Sequence, residues 1–376
     1  MFKFTLQKVD STGIRLGNIR ISEYEKEIIT PTRAMNNADF THISELQSAE
    51  IIKNNIEDIP NRVVEVSVPF WNKKLSSLEY GPATTKIVDK LFKYTLDQTK
   101  ASLFSPTFSR SAKITTKQNK ILLDIQQQAG FKALTIIDDP DSNITEFTKR
   151  LYDSNEQIDK YGDKTGRLVQ LDLGMNRNLL SQKINKVLDM GLGGIIFKYA
   201  TFRLKIENYY TISKLLGNEN IFLHISGVRK SYKGPRMKGS VYLPQMMPLF
   251  GFDSVASFSV GFGYPEKQVI FGKAKRFDIN TYGFLPLENI YKDPNMLMNC
   301  NCPVDMGRSY NDFININRMN DTIKNANNIH DLITSYREFQ LEAFKIKMNE
   351  KLDFLNKKEY VKQFINTHKI EQTTLV

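Results

Sequence analysis

Cysteine is nearly absent. The 376 residues hold two, Cys300 and Cys302. With one residue between them a bond to each other would be strained, so a disulfide framework is excluded. No apolar run approaches the length of a membrane span. The first residues, Met1-Phe2-Lys3-Phe4-Thr5-Leu6-Gln7-Lys8, lack the apolar core and cleavage site of a secretory signal. These absences lead us to expect a cytoplasmic protein with no membrane partner. Histidine is also scarce: the chain has four, and only His224 falls in a strand pattern. A hydrolase holding a divalent metal on ligands from several strands therefore ranks last among the functions weighed.

The composition is otherwise that of a chain able to bury a full core, with 41% hydrophobic and 25% charged residues. Its length suits one large α/β barrel with extensions, or two domains. The net charge of +11 favours a polyanionic partner through counterion release. The same charge also fits a lysine-rich surface, since Lys and Arg are scattered rather than blocked.

Along the chain, short apolar runs alternate with helical stripes. Ile14 and Leu16, then Ile19 and Ile21, form two alternations separated by Gly17, an antiparallel preamble over residues 1–29. Thr30-Pro31-Thr32 opens a first strand, and the β-branched run from Val63 to Val68 is a second. Ile87, Leu91 and Tyr94 place a helix over residues 86–96, and residues 101–105 form a strand stopped by Pro106. Thr115 and Gln118 make a capping box for a helix ending at Gly130. Strands follow at residues 133–137, ending on Asp138-Asp139-Pro140, and at 168–171, ending on Asp172. The stripe Leu179, Leu180, Ile184, Val187, Leu188 ends at Gly191; a strand at 194–197 ends near Lys198. A helix from Ile206 to Leu216 leads to a strand at 221–225, ending on Ser226-Gly227. Roughly eight strand–helix units argue a parallel (β/α)₈ barrel over residues 30–270. Residues 271–376 read as a loop-rich stretch to Pro303 followed by a C-terminal helix with the stripe Ile329, Leu332, Ile333, Tyr336, Phe339, Phe344.

In such a barrel the carboxyl ends of the strands form the active-site mouth. Pro248-Leu249-Phe250-Gly251-Phe252 is apolar and ends on Asp253, which puts Asp253 at the carboxyl end of a strand. Asp138 (with Asp139), Asp172 and Asp253 would then converge. Carboxylates around one cavity suit nucleophilic attack and proton transfer at a sugar anomeric carbon. They equally suit a divalent metal.

Taken in order, several segments resemble the queuine/archaeosine tRNA-guanine transglycosylase family, over roughly residues 28–340 of a barrel template. Thr30-Pro31 looks like the family's first-strand Thr-Pro. The capped helix leading into Ile137-Asp138-Asp139-Pro140 is similar to the one before its base-recognition Asp. Residues 250–257, Phe-Gly-Phe-Asp-Ser-Val-Ala-Ser, look like its nucleophile segment. Cys300-Asn301-Cys302-Pro303-Val304 matches the start of its zinc motif, and His330 lies close to where the last zinc ligand falls. The resemblance implies that Asp253 attacks the sugar C1′ as guanine leaves and that a 7-deazaguanine base then takes its place. Asp138 would accept hydrogen bonds from the heterocycle, since a carboxylate is acceptor-only. Asp139, Gly174, Lys198, Ser226 and Gly227 would line the base pocket. Read without the resemblance, Asp138 is a turn-starting residue before Pro140.

The departures point to altered base recognition. The stretch Leu103-Phe104-Ser105-Pro106-Thr107-Phe108, which matches the end of the family's second strand, has no counterpart of its acid–base Asp, and Asp172, placed where a base-reading Gln belongs, could supply that function or pair with Lys198. Lys198-Tyr199 replaces a Gly-Gly pair. The third zinc cysteine is Asp305, leaving Cys300, Cys302, Asp305 and His330 as a degenerate Zn²⁺ set, or as a metal-free packed loop. These changes fit the divergent DNA-modifying branch of the family, often called DpdA and found in phages and bacterial modification islands. DNA is therefore the expected polymer, with its guanine flipped from the stack. Arg229, Lys230, Lys233, Arg236 and Lys238 are the expected phosphate contacts; as a solvated loop they would need no ligand. The alternatives are the same chemistry on tRNA and a non-catalytic partner subunit. The expected partners are the nucleic acid, the 7-deazaguanine base, and a second copy or companion modification proteins.

Overall fold

The computed structural model describes residues 2–9, 14–21, 27–37, 63–70, 78–96, 100–108, 113–162, 166–200, 202–229, 247–258, 275–278 and 283–286. The chain opens with an antiparallel sheet of β1 (Phe2–Val9), β2 (Arg15–Ile21) and β3 (Ile28–Thr30), in the order β1-β2-β3. Period-two alternation buries Phe2 and Phe4 and exposes Lys3 and Thr5. Gly17 does not split β2 into two alternations. The strand runs through it because a Cβ there would come within 2.6 Å of the Phe4 ring, so only glycine admits that ring.

Eight later strands run parallel to their hydrogen-bonded neighbours. They are β4 (Thr32–Ala34), β5 (Val63–Val66), β7 (Ala101–Phe104), β9 (Ala133–Ile137), β10 (Gly166–Asp172), β11 (Gly194–Lys198), β12 (Phe222–Val228) and β13 (Ser254–Ser257). Six form one parallel sheet in the order β4-β13-β12-β11-β10-β9, and β5 pairs with β7. Met35, directly after β4, bridges Val64 in parallel. Its N–H donates to the Val63 carbonyl at 2.9 Å, and its own carbonyl accepts from the Glu65 N–H at 2.7 Å. β7 in turn lies beside β9. Short β6 (Pro69–Phe70) and β8 (Thr107–Phe108) also pair in parallel.

Helices follow strands: α1 (Pro82–Phe92), α2 (Thr116–Gln128), α3 (Ile144–Asp159), α4 (Arg177–Asp189) and α5 (Phe202–Leu216). The Thr115–Gln118 capping box is present. A second box, Asn143 with Glu146, starts α3, a helix the hydrophobic stripes had not marked. α1 begins four residues before its expected start. Pro82 sits at its first turn, and the Thr84 hydroxyl donates to the Gly81 carbonyl at 2.6 Å. β14 (Lys275–Asp278) and β15 (Gly283–Pro286) form an antiparallel pair where loop composition alone was expected. The Ile329–Phe344 stripe and the zinc-motif residues Cys300, Cys302, Asp305 and His330 lie outside the described residues.

Two apolar cores result. The larger sits between strands and helices. The smaller gathers Ala34, Val63, Leu103, Ala133, Leu168, Ile196, Phe222 and Ala256, from all eight parallel strands, under Phe2, Phe4, Ile19 and Ile21 of the antiparallel sheet. Phe2 and Phe4 pack on Phe222 with ring centroids 5.4 and 5.8 Å apart. Gly166 and Gly194, at the amino ends of β10 and β11, leave room there: a Cβ on Gly166 would meet Phe2 at 2.7 Å. The antiparallel sheet thus closes the amino ends of the parallel strands. Among the described residues no helix is long and apolar enough to cross a membrane.

Candidate active site at the carboxyl ends of the parallel strands

Asp253 is not at a carboxyl end. The apolar run before it is a 3-10 turn (Met247–Phe250), and Gly251 then takes φ +86, a left-handed turn that favours glycine. β13 starts after Asp253. The expected strand failed because proline at 248 and glycine at 251 break the run into a turn. Asp253 is therefore the first residue of its ladder, its N–H donating to the Leu223 carbonyl at 2.8 Å. Its carboxylate is fully buried. Arg15 donates to it through Nε to Oδ1 at 3.1 Å and Nη2 to Oδ2 at 3.3 Å, and the Leu223 N–H donates to Oδ2 at 2.8 Å. The remaining Arg15 donors go to the carbonyls of Leu216, of Gly217 at 3.1 Å and of Ile221 at 2.6 Å. Burial pushes the Asp253 carboxyl up to about 6, and Arg15 pulls against that shift. This is a sealed ion pair tying β2 to the amino ends of β12 and β13.

Asp138 is also consumed. It follows β9 but turns to the helices, where Lys183 Nζ of α4 donates to Oδ2 at 2.6 Å. Ser142 Oγ donates to Oδ1 at 2.9 Å, and Arg150 of α3 lies 3.5 Å away. Burial raises its pKa against these partners. Asp139 takes the turn role, accepting from the Asp141 N–H at 3.0 Å and the Ile114 N–H at 3.3 Å.

Five expected residues, Asp172, Gly174, Lys198, Ser226 and Gly227, do meet at the carboxyl ends. Asp172 closes β10 and Lys198 closes β11, as partners in register. Ser226 of β12 is Lys198's partner on the other side, at a bulge where Gly227 takes φ +74. Asp172 accepts from the Gly174 N–H at 2.5 Å, and a Cβ on Gly174 would meet the same oxygen at 2.8 Å. Lys198 Nζ donates to Ser105 Oγ at 2.8 Å, to the Ser105 carbonyl at 3.0 Å and to Ser226 Oγ at 3.1 Å. Ser105 and Ser226 hydroxyls lie 2.9 Å apart, and Gln170 reaches the Pro106 carbonyl at 3.3 Å. Lys198 is half-buried, and no carboxylate among the described residues lies within ion-pair distance of it. Burial lowers its amine to about 8, with Glu65 and Asp172 opposing the shift. Burial likewise raises the Asp172 carboxyl, against the Gly174 N–H, Lys198 and Lys205.

One layer below, Glu65 of β5 meets His224 of β12, Oε2 to Nε2 at 2.8 Å, with both residues buried. His224 Nδ1 and the hydroxyl of Ser254, its register partner, are buried with no partner among the described residues. Neither Glu65 nor Arg15 belongs to a motif in the sequence. Each is a charge inside an apolar strand pattern, Glu65 between Val64 and Val66 and Arg15 between Ile14 and Leu16, and a buried charge calls for a partner. Arg229 follows β12 at this end and is exposed; Lys230, Lys233, Arg236 and Lys238 lie outside the described residues. No group of three or more His, Cys, Asp or Glu is placed to hold a metal among the described residues.

The arrangement is chemically a half-buried amine with a neighbouring carboxylate, floored by hydroxyls and a buried carboxylate–imidazole pair. No protein-family model matches this chain, and no curated protein is found to be similar to it.

Proposed function

We propose that the parallel strands close into a (β/α)₈ barrel and that its carboxyl-terminal mouth acts on the sugar–base bond of a nucleic acid, with DNA as the polymer. The continuous run from β9 through the six-stranded sheet, the Met35–Val64 bridge and β5 to β7 supports closure, as does an inner core to which each of these eight strands contributes. The transglycosylase resemblance and the +11 charge support the substrate class. The observation that carries the reading is the placement of Asp172 beside Lys198 as register partners at the ends of β10 and β11. In it Asp172, not Asp253, is the acid–base carboxylate: its raised pKa suits delivery of a proton to the departing guanine. Arg229 would meet phosphate at the rim. Zinc on Cys300, Cys302, Asp305 and His330 stays part of the proposal through the resemblance alone.

Exchange of labelled guanine into DNA and into tRNA, with nucleoside mass spectrometry, tests this. Asp172→Asn should lose about 10²-fold or more in exchange, and Asp253→Asn should track its loss of folded protein.

A second reading, the non-catalytic partner subunit, is favoured by one observation. Two of the three expected carboxylates, Asp138 and Asp253, are neutralised by Lys183, Arg150 and Arg15. It predicts salt-sensitive nucleic-acid binding with no exchange by the wild type.

A further inference from the structure

We propose that Lys198 is a covalent nucleophile that forms an imine with a carbonyl carbon, in the nucleic-acid reading the C1′ aldehyde of a sugar that has lost its base. The proposal rests on that reading for its substrate, though not for the reactivity of the amine.

The geometry points to it in three ways. Lys198 ends a parallel strand, where substrate reaches side chains in this kind of sheet. Its Nζ is fixed by oxygens that carry no formal charge, the Ser105 carbonyl and the hydroxyls of Ser105 and Ser226, at 2.8–3.1 Å. A lysine serving only as an ion-pair partner would be placed as Lys183 is, 2.6 Å from a carboxylate and sealed among helices. Lys198 is instead half-buried, at the last residue of its strand. Burial of the amine without a contacting counter-charge leaves part of it neutral near neutral pH, the state in which lysine attacks carbonyls.

The step balances without an oxidant. The amine lone pair attacks the carbonyl carbon, and the C=O pair takes a proton from protonated Asp172 to give a carbinolamine. The nitrogen then gives one proton back to the Asp172 carboxylate, and its second proton leaves with the former carbonyl oxygen as water, giving the C=N bond. Ser105 and Ser226 hold Nζ in line, and they can accept from the ammonium or donate to the amine as it changes charge.

The test is reductive trapping. The full chain is incubated near pH 7.5 with propionaldehyde, or with an oligonucleotide bearing an abasic site, and sodium cyanoborohydride is added to reduce an imine to a stable secondary amine. Peptides are then mapped by mass spectrometry. Lys198 should be modified about tenfold or more above the other lysines, and Lys198→Arg should show no abasic-DNA adduct. Modification spread evenly over the lysines, or an adduct of equal yield in Lys198→Arg, overturns the proposal. The wild-type mapping decides the matter even if a variant folds poorly. Propionaldehyde selective for Lys198, without guanine exchange by the wild type, supports the amine and sinks the nucleic-acid reading. Exchange retained in full by Lys198→Arg, with no adduct at Lys198, does the reverse.

Discussion

The two ends of the parallel strands treat charge in opposite ways. At the amino end, Arg15 and Asp253 are fully buried, doubly hydrogen-bonded to each other, and their remaining donors and acceptors are met by the Leu223 N–H and by carbonyls around Ile221. At the carboxyl end, Lys198 and Asp172 are half-buried, lie apart, and lean on hydroxyls, the Ser105 carbonyl and one backbone N–H. The first pattern fixes elements, since a buried pair whose guanidinium donors are all met resists change and is costly to break. The second leaves charge unspent, and unspent charge with a shifted pKa is what a reacting group needs.

Removing one partner from each end should break or sharpen this contrast. The largest loss is expected for Arg15→Met, which strands the Asp253 carboxylate under β1 and β2. A cost of about 3–5 kcal/mol in urea unfolding is expected, and a cost below about 1 kcal/mol would mean the pair is not sealed. Lys183→Met should cost less, about 1.5–3 kcal/mol, because Arg150 and Ser142 still face Asp138. Gly166→Ala pushes a methyl toward Phe2 and should cost about 1–3 kcal/mol, relieved by Phe2→Ala in the same chain if the contact is the cause.

The smallest stability effect is expected at the carboxyl end, where it shows in the pH dependence. Lys198 titrates at about 8 when folded against 10.5 in the open chain. Between those values the unfolded chain binds the extra proton, so wild-type stability should rise with pH from about 8 to 10.5. Below pH 8 the penalty for burying the charge is fully present. Lys198→Met removes that penalty, so the variant should be no less stable than wild type at pH 7 and should lack the rise. A parallel pH profile in both proteins would show that Lys198 is solvated like a surface lysine.

Much of the scaffold was legible in the sequence. Short β-branched or apolar runs at residues 133–137, 168–171 and 194–197 became β9–β11, and the helical stripes after the last two became α4 and α5. α3 was missed although its Asn143 and Glu146 spell a capping box, because its polar positions hide the stripe. The site was less legible. Lys198, Asp172 and Ser226 were found from strand ends, a rule that needs only the strand direction. Asp253 was misplaced by the same rule. Its preceding residues are apolar because they pack a turn: Phe252 sits against Phe197 and Tyr209, not in a ladder. Asp138 shows the other limit. Nothing local tells whether a strand-end carboxylate faces the site or the helices; that depends on Arg150 and Lys183, twelve and forty-five residues on.

If Asp253 is an anchor and the reactive groups lie at the carboxyl end, Arg15 and Asp253 must be strongly coupled in stability. A double-mutant cycle of Arg15→Ala and Asp253→Ala, read by urea unfolding, measures the anchor without any assay of activity. A coupling of about 2–3 kcal/mol, with the double variant nearly as stable as the better single one, is the predicted result. Additive losses with a coupling below about 0.5 kcal/mol would contradict it, and would return Asp253 to the list of groups free to react.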